Sequence, residues 1–177
     1  MRNIHINFLV ALVSLFLSQI VSAQNKDYAT YETSDFSIHY PADWRVEDKE
    51  TKGARVFFFS PLESTDDHFS ENINIITQDI SDHPMTLKEY TDLSLQQIKT
   101  LATNGKLIES KTIQTPNGDT QRLVYKADQG QFHLEFEQLY IIQKAKVYLI
   151  TYTAEVKSFK KYLTKANEVL ESFRIKQ

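Results

Sequence analysis

Phe36-Ser-Ile-His-Tyr-Pro-Ala-Asp-Trp44 decides how this chain is read. Phe36, Ile38 and Tyr40 alternate with Ser37 and His39, the two-residue period of a strand with one buried face. Pro41 has no N–H to give to a ladder, so the strand ends there. Trp44, the only tryptophan, follows three residues later. After the turn its indole is expected to fold back over the open end of a sheet. Phe36, Tyr40, Pro41 and Trp44 are therefore read as structural residues. Truncating a buried Trp costs about 3–5 kcal/mol.

Upstream of this strand the sequence reads as a leader. Arg2 supplies a positive start, Phe8 to Leu17 is apolar apart from Ser14, and Val21-Ser22-Ala23 places small or permissive residues before a cleavage point at Ala23-Gln24. A spanning helix needs roughly 20 apolar residues, and Ser18-Gln19 interrupts this run first. The expected division is a signal peptide over 1–23, a polar and loosely ordered lead-in over 24–35, and one domain over 36–177. Export to the periplasm or the extracellular space follows, with no transmembrane helix in the mature chain.

The 177 residues include no cysteine. Disulfides, thiolate nucleophiles, Cys-ligated metals and a lipidated cysteine are thereby excluded. Loss of Arg2 with the leader leaves 19 basic against 23 acidic residues, a net charge of −4. That balance, with no basic cluster, argues against nucleic acid and against an anionic lipid surface. A domain of this size buries about 70% of its unfolded surface, enough for one core.

Downstream, Ala54-Arg-Val-Phe-Phe-Phe-Ser60 is apolar on both faces and is expected to be a central strand covered on both sides. Asn72 to Gln78 reads as a third strand. The period then lengthens. Thr86 and Glu89 form a capping box, and Leu87, Tyr90, Leu93, Ile98 and Leu101 give a helical stripe stopped by Asn104-Gly105. Four strands follow, Leu107 to Thr115, Thr120 to Ala127, Gln131 to Gln143 and Val147 to Ala154. Turns at Asn117-Gly118, Asp128-Gln129-Gly130 and Lys144-Ala145-Lys146 link them into an antiparallel meander. Phe159, Tyr162, Leu163, Ala166, Val169, Leu170 and Phe173 make the apolar stripe of a closing helix, with Ser158 as its expected N-cap.

The fold class expected is α+β, one largely antiparallel six- to seven-stranded sheet with a helix after strand three and a C-terminal helix. Phe36, Ile38, Tyr40, Pro41 and Trp44, together with the closing Ser172-Phe173-Arg174, resemble the PsbP-like superfamily over roughly Phe36 to Ile175. The resemblance implies an α/β/α sandwich. Its members include the PsbP subunit of photosystem II, which helps retain Ca²⁺ and Cl⁻, a eukaryotic Ran-binding protein, and many exported bacterial proteins. The leader argues against the Ran role. The short segment before Phe36 and the lack of cysteine depart from the photosynthetic forms. No ligand residue of the family carries over to a position here. The function implied is a non-enzymatic binding or accessory module of the cell envelope, with a protein or envelope component as partner and no cofactor.

Three sets of residues invite a chemical reading. His133, Glu135 and Glu137 alternate with Phe132, Leu134 and Phe136, so they share one face of a strand at about 7 Å spacing, where they would hold Ca²⁺ or a transition metal, or form an ordinary solvated face. Asp66, Asp67, His68 and Glu71 form one acidic loop, and Asp79, Asp82 and His83 another. They would bind an ion only by converging, and the EF-hand spacing is absent. There is no G-x-S-x-G, no HExxH and, with four glycines, little scope for a phosphate cradle. The alternatives to a binding module are a small metal-dependent hydrolase and a structural subunit of an envelope complex.

Overall fold

The structure, a computed structural model, describes residues 27–48 and 54–176. The expected signal peptide and its cleavage point lie outside the described residues. The elements in chain order are β1 (Tyr28–Glu32), β2 (Phe36–Pro41), β3 (Arg45–Glu47), β4 (Val56–Phe59), β5 (Asn72–Asp79), α1 (Leu87–Leu101), β6 (Lys106–Thr115), β7 (Gly118–Gln129), β8 (Phe132–Gln143), β9 (Lys146–Glu155), α2 (Phe159–Glu171) and β10 (Arg174–Ile175). No helix among the described residues is long and apolar enough to cross a membrane.

The α+β class holds, with two sheets in place of one. Seven strands run in the order β3-β4-β5-β9-β8-β7-β6, antiparallel throughout, and β1-β2-β10 form a separate three-stranded sheet. The meander β6 to β9 matches the turn pattern. Strand β5 then pairs with β9, with Asn74 opposite Thr151. Three short strands escaped the sequence reading, among them β10, which pairs with β2 where the closing helix was expected to run on. Tyr28–Glu32, expected to be a loose lead-in, pairs with β2, and Arg45–Glu47 pairs with β4. The first helix accordingly follows the fifth strand rather than the third.

Pleat parity gives the large sheet two different faces. One face carries Phe58, Ile73, Ile75, Leu139, Ile141, Ile150 and Tyr152, and it packs against α2 and the small sheet to make the main core. Phe36, Ile38 and Trp44 are buried there, and Tyr40 stacks on Phe58 with ring centroids 4.7 Å apart. The other face meets α1 through a small cluster of Ile98, Leu123 and Tyr140. Helix, sheet, then helix with small sheet is the layering of an α/β/α sandwich.

Local chemistry explains where the helices sit. The Thr86 capping box forms as expected, with Glu89 N–H donating to Thr86 Oγ1 at 3.2 Å and Thr86 N–H to Glu89 Oε2 at 2.8 Å. The buried face of α1 follows the expected stripe at Leu87, Tyr90 and Ile98 and departs from it elsewhere. Thr91, Ser94 and Ile98 face the sheet, whereas Leu93 is 38% and Leu101 77% exposed. Thr91 and Ser94 donate to the carbonyls of Leu87 and Tyr90 one turn back, so their hydroxyls are satisfied inside the helix. Gly105 is required by proximity, since a Cβ there would lie 2.3 Å from the Ile98 carbonyl oxygen. The left-handed residue of this helix end is Asn104 (φ 53°). Ser158 precedes α2 with helical backbone angles and makes no side-chain cap, so the expected N-cap does not form.

The hairpin at 116–119 is also displaced by one residue. Pro116 and Asn117 occupy the turn, and Gly118 (φ 95°) opens β7 in the conformation that favours glycine. This frees the Asn117 side chain for a distant partner.

Candidate functional site

The face of the large sheet that α1 leaves uncovered is a trough. Strand β4 brings Phe57 and Phe59, whose rings stack at 5.4 Å with 10° between planes. Both are only half-buried, so β4 is not the doubly covered central strand its composition suggested. Its partner β3 is only three residues long, and Arg45 on it lies over the Phe59 ring, 4.5 Å from the centroid. Across the sheet Tyr125 on β7 and Phe136 on β8 form a second stack, at 4.7 Å and 11°. Burial pushes the Tyr125 hydroxyl up to about 12, so it stays protonated and neutral.

Between these aromatic walls lies a floor of uncharged polar side chains. Asn74, Thr151 and Gln138 are opposite one another on β5, β9 and β8, and Asn72, Thr153 and Phe136 form the next rung. Gln138 Nε2 donates to Thr151 Oγ1 at 3.3 Å, and Asn72 Nδ2 to the Ser70 carbonyl at 3.2 Å. Among the described residues no hydrogen bond engages the Asn74 amide or the Thr153 hydroxyl. β4 and β8 are three strand spacings apart, about 14 Å. The hollow measures about 400 Å³, and Phe69 also lines it. A second hollow of about 380 Å³ continues beneath α1, sharing Tyr125, Gln138 and Leu149 with the first. These volumes suit a small ligand or a short polymer segment.

The residues singled out as metal candidates do not converge. His133, Glu135 and Glu137 do share one face of β8, the face turned away from the trough. Each has its own cationic or anionic partner on β7. His133 Nδ1 is 2.6 Å from Asp128, Glu135 is 3.4 Å from Lys126, and Glu137 is 2.5 Å from Arg122 Nε. The contact with Asp128 raises the His133 pKa, which favours an imidazolium there rather than a free ligand nitrogen. Among the described residues no group of three His, Asp or Glu side chains lies close enough to hold an ion.

The two acidic loops stand at opposite ends of β5, roughly 23 Å apart along the strand. Asp67 closes its own loop by accepting from the N–H groups of Glu63 and Phe69 at 2.9 and 3.1 Å, and these bonds hold its carboxyl below the usual range. Asp79 accepts from Ser81 N–H at 2.8 Å with the same consequence. Glu71 is 2% exposed, and burial pushes its carboxyl upward.

Residues 15–175 match the protein family described as PsbP-like protein. This chain belongs to the PsbP-like family. Its fold is similar to that of cyanobacterial PsbP (CyanoP) from Synechocystis sp. PCC 6803, with a TM-score of 0.63 and 19% identity over 90% of this chain and 99% of that one. It is also similar to LpqN of Mycobacterium tuberculosis, described as involved in cell envelope biogenesis, with a TM-score of 0.58 and 12% identity over 85% of this chain and 91% of that one. A Pseudomonas aeruginosa protein of unknown function gives a TM-score of 0.59 and 14% identity over 82% of this chain and 94% of that one. No curated protein sequence matches the chain.

In this PsbP-like domain the quoted strand from Phe36 to Pro41 serves the main core, on the far side of the large sheet from the trough. The trough itself was missed in the sequence. Its one local signal is the placement of Thr151 and Thr153 on β9, the central strand, where a sheet covered on both faces would carry apolar side chains.

Proposed function

We propose that this PsbP-like protein is an exported, non-enzymatic binding module of the cell envelope, and that its ligand occupies the trough between the Phe57–Phe59 and Tyr125–Phe136 stacks. One observation carries this reading. The middle of the large sheet, at β5, β9 and β8, is left open on one face by the described residues and furnished with aromatic and neutral polar side chains. Packed sheets ordinarily cover such a face, and a well-formed concave surface with a few convergent polar groups is the usual form of a binding site. The leader at Arg2 to Ala23 supports export. Among the described residues the trough lacks the chemistry a metal-dependent hydrolase would use: its one carboxylate is Glu47 at the rim, already paired with Arg45.

The test is capture from solubilised cell envelopes by the immobilised protein, with Asn74→Arg as the comparison. The long cation fills the floor without disturbing the core face. A component retained by the wild type and lost with Asn74→Arg supports the reading. Equal retention by both removes the trough from it. N-terminal sequencing of the protein from a fractionated cell tests export, with Gln24 expected as the first residue.

A further inference from the structure

The lining of the trough points to a class of ligand, and this step rests on the trough being the binding site. We infer that it takes a neutral saccharide. The floor carries amides and hydroxyls, groups that both donate and accept, and Asn74 and Thr153 are without partners among the described residues. Sugar hydroxyls also do both, so each can meet an amide or a threonine without a charge being stranded. Each wall is a pair of rings stacked on one another, which leaves outer ring faces and ring edges for a ligand, apart from the face of Phe59 that Arg45 covers. An aromatic face is the negative end of the ring quadrupole, and the C–H faces of a pyranose present weakly positive hydrogens to it. Such a wall beside a hydrogen-bonding floor can hold a sugar ring by one face and its edge together.

Other small-ligand classes fit this lining worse. Among the described residues an anionic headgroup would find no cation on the floor, and the nearby Arg45 is already committed to Glu47 and the Phe59 ring. A cation would find, among the described residues, only Glu47, which is likewise paired. An aliphatic chain would shut the Asn74 amide and the Thr153 hydroxyl away from water with nothing to bond to, an unfavourable desolvation.

The test titrates the purified, nitrogen-labelled protein with maltohexaose, cellohexaose and the hexamer of N-acetylglucosamine at millimolar concentration. The side-chain NH₂ resonances of Asn74 and Gln138 report the site. At least one of these neutral sugars is expected to shift both, with an affinity that changes less than about twofold from about 50 to about 500 mM salt. Asn74→Leu, whose fold is checked in the same spectrum, is expected to weaken binding about tenfold, the loss of one buried hydrogen-bonding group. The saccharide inference is overturned if none of the three sugars moves these resonances. Laurate and polygalacturonate are the contrasting probes. If either shifts the same amides where the neutral sugars do not, the ligand class is wrong and the trough stands as a site. If no probe shifts them and Asn74→Arg captures the same envelope components as wild type, the trough reading fails as well.

Discussion

The side chain of Asn117 at the β6–β7 turn grips the C-terminal strand, donating from Nδ2 to the carbonyl of Phe173 at 2.9 Å. Its Oδ1 accepts from the N–H of Ile175, also at 2.9 Å. A single amide thus satisfies two backbone groups 56 and 58 residues away and seats β10 against β2.

Asn117→Ala removes both bonds and leaves the turn backbone intact. Stability is expected to fall by about 1–3 kcal/mol. Amide exchange should speed up at Phe173 to Lys176 before it does in the meander. Unchanged exchange at those residues would show that β10 is held by packing alone.

Arg122 bridges two carboxylates, Glu137 at 2.5 Å and Glu109 at 2.7 Å. Glu137 is 2% exposed, and its second oxygen is buried with no hydrogen-bond partner. Arg122→Leu would leave that charge alone in the core-facing side of the sheet, at an expected cost of about 3–5 kcal/mol. The double variant Arg122→Leu/Glu137→Leu is expected to recover most of that loss. Denaturant unfolding of the two variants and wild type decides it, and a double variant as unstable as the single one would contradict the account.

Glu71 gives a pH dependence of known sign. Burial raises its folded pKa, and the neighbouring Asp67 charge adds to the shift. As pH rises, the unfolded chain ionises at Glu71 before the folded one does, so the residue costs stability above the ordinary carboxylate range and nothing below it. Glu71→Gln should therefore be more stable than wild type at about pH 7 and equal to it below about pH 4. Thermal melts across that range provide the measurement. A stabilising effect that persists undiminished at low pH would point to packing instead.

The β8–β9 turn is built from Lys144 (φ 51°) and Ala145 (φ 57°), both left-handed and neither glycine. Two consecutive left-handed residues are what a type I′ hairpin requires, and asparagine followed by glycine adopts them most easily. Lys144→Asn/Ala145→Gly is expected to stabilise the protein by about 1 kcal/mol, the conformational cost of a left-handed alanine less the added freedom of glycine in the unfolded chain. The Ala145 carbonyl that accepts from Ile80 N–H at 2.8 Å is retained. A lower melting temperature in the double variant would refute this.

Much of the architecture is legible in local patterns. The strand from Phe36 to Pro41, the Thr86 capping box, the four meander strands and the stripe of α2 all follow from the two side-chain periods and from turn residues. Short strands such as β1 and β3 give too few residues for a period to register. Helix α1 misled because only some of its leucines, Leu87 and Leu95, mark its buried side. Thr91 and Ser94, with hydroxyls folded back onto the helix, let it sit close to the sheet, and Leu101 faces outward. His133, Glu135 and Glu137 were rightly placed on one face, yet their meaning depended on β7, whose Asp128, Lys126 and Arg122 take one each.

By itself the amino-acid sequence determined the local elements of this PsbP-like protein, because strand and helix periods, caps and most turns arise from sterics and hydrogen bonds within a few residues. The trough was decided only by the tertiary structure. It exists because β5 pairs with β9, setting Asn74 beside Thr151 across 77 residues of chain, and because α1 covers one end of that face and stops. Strand order and the coverage of a face depend on the summed packing of the whole core. No window of sequence contains that sum, so an ordinary alternation of asparagine, isoleucine and threonine became a candidate binding surface only once the sheet was assembled.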